Sequence, residues 1–208
     1  MTFHRETITD PMASIAKVMF VQLDEGYYLA GGTALALRLG HRKSVDLDYF
    51  IDKGIDTLHL KEKILELFPS NTRILFEEKN TLWCSIKGVK VSFISRFDSL
   101  LEPVEVVEDF RLAGLKDIAV MKLSAICGRE EYKDYFDLAC IAEHTDARSW
   151  ISWWRTVYPQ VDNTGFIVAL AYVDAMRPVQ LDIADRYKST NVSDVLHAAV
   201  KTITDSFA

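Results

Sequence analysis

Between residues 27 and 51 the chain reads as strand, glycine turn, helix and strand in immediate succession, and this segment limits the fold more than any other. Tyr27-Tyr28-Leu29-Ala30 is a short apolar run that stops at Gly31-Gly32. Thr33 to Leu39 is helix-prone and closes at Gly40, a residue type suited to the left-handed step after a helix. Val45 to Ile51 then alternates, with Val45, Leu47, Tyr49 and Ile51 on one face and Asp46, Asp48 and Phe50 on the other. A strand that runs through glycines into a helix and returns as a half-buried strand requires a sheet with helices packed against it.

The flanking patterns extend this architecture. Asp10-Pro11 reads as an N-cap with a first-turn proline, followed by helical spacing from Met12 to Leu23. Thr57 to Phe68 is an amphipathic helix stopped by Pro69. Arg73–Glu77, Leu82–Ile86 and Val89–Ile94 are strand-like, the last two joined by a Lys87-Gly88 hairpin turn, and Val104–Val107 reads as an edge strand. From Leu115 the periodicity is helical throughout: 115–127, 132–143, 149–157, 165–176 and 192–207. The expected fold class is therefore α/β (α+β), a mixed-sheet core over residues 1–112 followed by a helical lobe over 113–208 that completes a cleft.

Composition narrows the chemistry. Of 208 residues 49% are apolar and 26% charged, which excludes a disordered chain. The formal net charge of −6 argues against a protein that coats nucleic acid or membrane by bulk charge, while leaving room for a local basic patch. Cys84, Cys127 and Cys140 form no CxxC pair and suggest reduced thiols. The longest apolar run, Phe166 to Val173, falls far short of the about 20 residues that span a bilayer, so the expectation is a cytoplasmic protein with no membrane partner.

Three constellations carry chemical meaning. Gly31-Gly32-Thr33 between a strand and a helix lets backbone approach a ligand and offers helix N–H groups to phosphate, although such turns are also common as plain structure. Asp46 and Asp48 project from one strand face, where two like charges ask for a cation between them; hard oxygens there suit Mg²⁺ (or Mn²⁺) and a triphosphate. Arg38, His41, Arg42 and Lys43 lie between these motifs with Ser44, as a phosphate-facing cluster or as a solvated loop. In the third, at about 100° per residue, Lys122, Arg129, Lys133 and Asp137 fall on one face if the helix continues through Gly128. The plainer reading of that face is solvent exposure with a Lys133–Asp137 pair. Trp150, Trp153 and Trp154 share one helix, as lobe core or as a stacking platform.

The strings Leu29-Ala30-Gly31-Gly32-Thr33-Ala34-Leu35-Ala36-Leu37-Arg38 and His41-Arg42-Lys43-Ser44-Val45-Asp46-Leu47-Asp48-Tyr49-Phe50 resemble the opening motif of the AbiEii-type nucleotidyltransferase toxins, within the polymerase-β-like nucleotidyltransferase superfamily. Met121 to Ile126, Arg129 and Lys133-Asp134-Tyr135-Phe136-Asp137 resemble the family's second block, and 166–178 a later helix. The resemblance implies that Gly31, Gly32, Thr33, Arg42 and Ser44 bind a nucleotide, with Arg129, Lys133 and Asp134 as further contacts. Asp46 and Asp48 would be catalytic and hold the metal, and Lys122 and Asp137 would act catalytically. It further implies an NTP substrate, an RNA acceptor such as tRNA, and a cognate antitoxin protein.

One position departs from the superfamily. On the strand from Lys87 to Ile94, Ser92 stands where a third carboxylate normally serves as general base. Asp137, Asp52, Glu77 or Asp98 would then supply it, or the acceptor is unusual, or catalysis is weak. A chain that binds nucleotide without transferring it, acting through a protein or RNA partner, is the alternative, and a protein phosphotransferase a third.

Overall fold

The computed structural model describes residues 2–207 and divides into two compact units. The first comprises residues up to Ser99 together with Val104–Ala113; the second comprises Leu100–Pro103 and Gly114 onward. The sequence reading assigns 100–103 to the first half. In the structure these residues join the helical unit because the buried Asp117 carboxylate accepts the Leu101 amide at 2.6 Å and the Glu102 amide at 3.1 Å.

The first unit holds β1 (Tyr28–Leu29), β2 (Asp46–Ile51), β3 (Thr72–Glu78), β4 (Thr81–Ile86), β5 (Val89–Ser95), β6 (Glu105–Val107) and β7 (Phe110–Leu112), with α1 (Asp10–Gln22), α2 (Gly31–Leu39) and α3 (Thr57–Leu67). The strands form one mixed sheet in the order β3-β4-β5-β2-β1-β7-β6. β2 runs parallel to β5 and β1 parallel to β7; the other pairs are antiparallel. β2 buries Leu47, Tyr49 and Ile51 and leaves Asp46, Asp48 and Phe50 partly exposed, as alternation requires. On the buried face Leu29, Leu47, Tyr49, Leu82, Cys84, Val91 and Phe93 make the core of this unit, and α3 contributes Leu60 and Ile64.

Local chemistry explains the element ends. Thr9, rather than Asp10, caps α1, its side chain accepting from the Met12 amide; Asp10 is the first helical residue, where its charge suits the helix N-terminus. Asp56 caps α3 by accepting from the His59 amide at 3.0 Å. Lys87 and Gly88 both take positive φ, 51° and 82°, the geometry of a two-residue hairpin turn. Arg38 ties α2 to the far edge of the sheet, donating to the Ala113 carbonyl at 2.8 Å and to Glu105 at 3.0 Å.

The second unit is helical: α4 (Leu115–Gly128), α5 (Tyr132–Ala142), α6 (Arg148–Val157), α7 (Thr164–Ala171) and α8 (Val192–Asp205). Its core gathers Leu123, Phe136, Leu138, Trp150, Phe166, Leu170, Leu196 and Ile203. Trp150 and Trp154 are buried there, and the Trp154 indole donates to the Val161 carbonyl, so these rings act as core. α7 tightens at Tyr172–Ala175 into a 3₁₀ turn, ending the regular helix earlier than the apolar run suggests. No helix among the described residues is long and apolar enough to cross a membrane.

Candidate active site

In the first unit, β1 delivers the chain to α2 through Gly31, whose φ of +63° lies in the left-handed region that a side chain disfavours. The Ala30 amide donates to the Asp48 carbonyl at 3.2 Å, which locks the start of α2 beside β2. A β-carbon built on Gly31 would stand 3.5 Å from Asp48 Oδ2. The Asp48 carboxylate thus lies over the turn that opens the helix, and Gly31 and Gly32 are both partly exposed.

Thr33 and Ser44 stand behind this surface. Thr33 is buried; its hydroxyl pairs with Ser44 Oγ at 2.7 Å and also donates to the Asp46 carbonyl. The Ser44 amide donates to the Thr7 carbonyl at 2.9 Å. Both hydroxyls therefore fix the entry of β2 relative to α2, and so fix where Asp46 and Asp48 point. Arg42 is buried as well, with its guanidinium donating to the Lys43 carbonyl at 3.1 Å.

Asp46 and Asp48 share a strand face, as i and i+2 must. Two partly exposed carboxylates are hard donors of the kind that hold Mg²⁺ together with substrate phosphates. No group of three or more His, Cys, Asp or Glu among the described residues is arranged to hold an ion. Carboxylates of this kind complete an ion's ligand set together with phosphate oxygens. In the parallel register Ser92 stands directly opposite Asp48 and is buried, so its hydroxyl lies on the same face of the sheet as the Asp pair.

In the second unit Lys122, Asp134, Asp137 and Arg129 do come together, though not along one helix face. α4 ends at Gly128 and α5 starts at Tyr132, so the four residues meet across a helix corner. Lys122 Nζ lies 2.6 Å from Asp134 Oδ1 and 2.6 Å from Asp137 Oδ2, and all three side chains are buried. Arg129 Nε donates to Asp134 Oδ2 at 2.8 Å, with its side chain half exposed. Burial acts to pull the Lys122 pKa down, but the charges of Asp137 and Asp134 outweigh it and the net shift is upward. For Asp134, burial acts upward; the Lys122 charge and the hydrogen bonds from Arg129 and Lys122 reverse it, and its pKa is lowered. Lys133 stays outside this cluster. It pairs with Glu131 at 2.8 Å rather than with Asp137, and lines a cavity of about 390 Å³ with Tyr132, Met176 and Arg177.

On the open face of the sheet two further residues line up with the Asp pair. Trp83 is opposite Ser92 on β4, and Lys90 is opposite Asp46 on β5. The alternation of β4 and β5 already turns both away from the core, but only the strand order puts them in line with Asp46 and Asp48.

Comparison with known proteins bears on the family and the fold. A family model described as nucleotidyl transferase AbiEii toxin, type IV toxin–antitoxin system, matches residues 16–151. An uncharacterized protein of Aquifex aeolicus (strain VF5) is 40% identical over 129 residues, 60% of this chain, and the chain spans 62% of that relative's length. Among solved structures, JHP933 from Helicobacter pylori superposes with a TM-score of 0.52 at 21% identity, covering 98% of this chain and 93% of that one. MenT4, a nucleotidyltransferase toxin from Mycobacterium tuberculosis, gives a TM-score of 0.57 at 14% identity, covering 94% and 82%. At these identities the two structures share the fold.

Proposed function

This chain belongs to the AbiEii nucleotidyl transferase toxin family, and from that premise we propose that it transfers a nucleotidyl group from a nucleoside triphosphate to a hydroxyl of an RNA, with the 3′ end of tRNA as the expected acceptor. The observation that carries this reading is the Asp48 carboxylate over the left-handed turn at Gly31, with Asp46 on the same face. That arrangement supports backbone N–H groups of α2 receiving phosphate beside two acidic ligands.

Asp46 and Asp48 would hold Mg²⁺ or Mn²⁺, which supplies charge neutralisation at the phosphates when bound. The acceptor oxygen forms a bond to the α-phosphorus, the bond from that phosphorus to the bridging oxygen breaks, and pyrophosphate leaves. The hydroxyl proton passes to a carboxylate on this face or to water. Thr33 and Ser44 position Asp46 through their shared hydrogen bonds. In the second unit Arg129 is half exposed and braced by Asp134, and Lys122 and Asp137 give that helix corner rigid support. By the family reading, a cognate antitoxin restrains this activity, and the protein works in the cytoplasm.

The experiment is incubation with each α-labelled NTP, Mg²⁺ and total tRNA. Label in RNA that disappears with Asp46→Ala supports the proposal. No label with any NTP overturns it. Ser92 favours one second reading, nucleotide binding without turnover, which calorimetry would reveal as Mg²⁺-dependent NTP binding in a protein that labels nothing.

A further inference from the structure

The register of the sheet continues the site outward in two rows across its open face. One runs Asp48, Ser92, Trp83, Phe76; the other runs Asp46, Lys90, Ser85, Arg73. With strands about 4.8 Å apart, Trp83 lies roughly 10 Å and Phe76 roughly 14 Å from Asp48.

The first row is aromatic beyond Ser92. Phe76 and Trp83 have ring centroids 4.9 Å apart at 40°, and Phe76 is 38% exposed although it sits on a strand with a helix available to cover its other face. The β-bulge between Ile74 and Phe76 is what brings Phe76 onto this face; without it the ring would point to the side of α3, where Glu77 pairs with Lys61. Trp83 Nε1–H is out of solvent and meets no acceptor among the described residues.

The second row is cationic beyond Asp46. Lys90 and Arg73 are both exposed, and neither has a carboxylate partner among the described residues. Lys90 holds its ammonium 4.8 Å from the Trp83 ring centroid, joining the two rows. The next row, Glu78, Thr81, Ile94 and Phe50, carries an anion and no cation, which bounds the strip on that side.

Aromatic rings for bases beside unpaired cations for phosphates is the arrangement that receives single-stranded nucleic acid. We propose that Phe76, Trp83, Lys90 and Arg73 form the acceptor track. On this surface the last few nucleotides of a single-stranded RNA end stack on the two rings, with their phosphates on the two cations. The terminal hydroxyl is thereby delivered past Ser92 to Asp48. This rests on the nucleotidyl-transfer reading and adds where the acceptor lies. It also fits a net charge of −6, since the chain needs only a narrow cationic strip to grip an RNA end.

The test is anisotropy of a fluorescein-labelled single-stranded RNA ending in a free 3′ hydroxyl, titrated with the full chain, with melting curves and NTP calorimetry run alongside. Trp83→Leu is expected to weaken RNA binding about tenfold or more, with NTP affinity unchanged. Lys90→Gln is expected to lower the slope of log affinity against log salt by about one. Leu75→Ala, exposed on the same strand but outside both rows, is expected to bind as wild type. If Trp83→Leu fails to fold, Phe76→Ala and Lys90→Gln carry the test. RNA affinity unchanged in these folded variants, or no RNA binding by the wild type, overturns the track. Labelled RNA with an unchanged acceptor KM in the variants overturns the track and keeps nucleotidyl transfer. Trp83-dependent binding without label does the reverse.

Discussion

Asp48 closes over Gly31: its carboxylate oxygen stands 3.5 Å from where a residue-31 β-carbon would sit, and Gly31 holds a φ of +63°. The left-handed step is what turns the chain from β1 into α2 tightly enough for the helix N-terminus to meet the acidic strand. Gly31→Ala therefore carries a backbone penalty of about 1–2 kcal/mol. In a chain of this size that lowers Tm by roughly 2–8 °C. The added methyl rests in ordinary contact with Asp48 Oδ2, but the strained turn carries the N–H groups of α2, so Mg²⁺-dependent NTP affinity is expected to fall more than stability alone accounts for. Differential scanning calorimetry and isothermal titration on the same preparation separate the two effects.

Asp48 itself is partly exposed on a strand that exists without its charge, because Leu47, Tyr49 and Ile51 supply the packing. Asp48→Asn keeps the shape and removes the charge of the proposed metal ligand. Nucleotidyl transfer is expected to drop at least about a hundredfold, while Tm stays within a few degrees. A loss of folding comparable to the loss of activity would show that the carboxylate serves structure instead.

Those features were legible because they are local. Gly-Gly before a helix and alternating Asp residues in a strand can be read within a window of 20 residues, and so can the Lys87-Gly88 turn. The long-range relations could not be read that way. β7 is three residues long, too short to show alternation, and its parallel partner β1 lies about 80 residues earlier. The position of β5 between β4 and β2 follows from tertiary packing, and it alone brings Trp83 and Lys90 into line with the Asp pair. Lys122, Asp134 and Asp137 are neighbours by a corner after Gly128, a geometry that projection on one continuous helix cannot produce.

Lys122 is enclosed by Asp134 and Asp137, and its removal leaves two buried carboxylates facing each other. Lys122→Met is expected to cost about 3–5 kcal/mol. Lys122→Met with Asp134→Asn and Asp137→Asn is expected to recover much of that, since neutral groups of similar shape need no counter-charge. Urea denaturation of the single and triple variants gives both numbers.

The same cluster fixes an acid limit. Asp134 has a pKa lowered below its ordinary 3.8, so the folded protein holds its proton less tightly than the unfolded chain. Its contribution is fully present well above pH 3.8 and is lost as pH falls below that value through the lowered pKa. Wild type is expected to lose stability more steeply than Asp134→Asn between about pH 5 and pH 2. Parallel slopes in urea midpoints across that range would remove Asp134 from the acid transition.

Ser92 offers the most direct test of what the site lacks. It is 2% exposed and directly opposite Asp48, so Ser92→Asp would set a third carboxylate against the existing pair. Without a cation, three like charges on adjacent strands repel, and burial adds to the cost. With Mg²⁺ the same three oxygens become a fuller ligand set. Ser92→Asp is thus expected to melt below wild type in chelator and to gain several degrees on adding millimolar Mg²⁺, where wild type without nucleotide gains little. If transfer is limited by the missing carboxylate, the variant's kcat rises in the same buffer. A Ser92→Asp protein whose melting is blind to Mg²⁺ would mean that Asp46 and Asp48 do not face a cation at all.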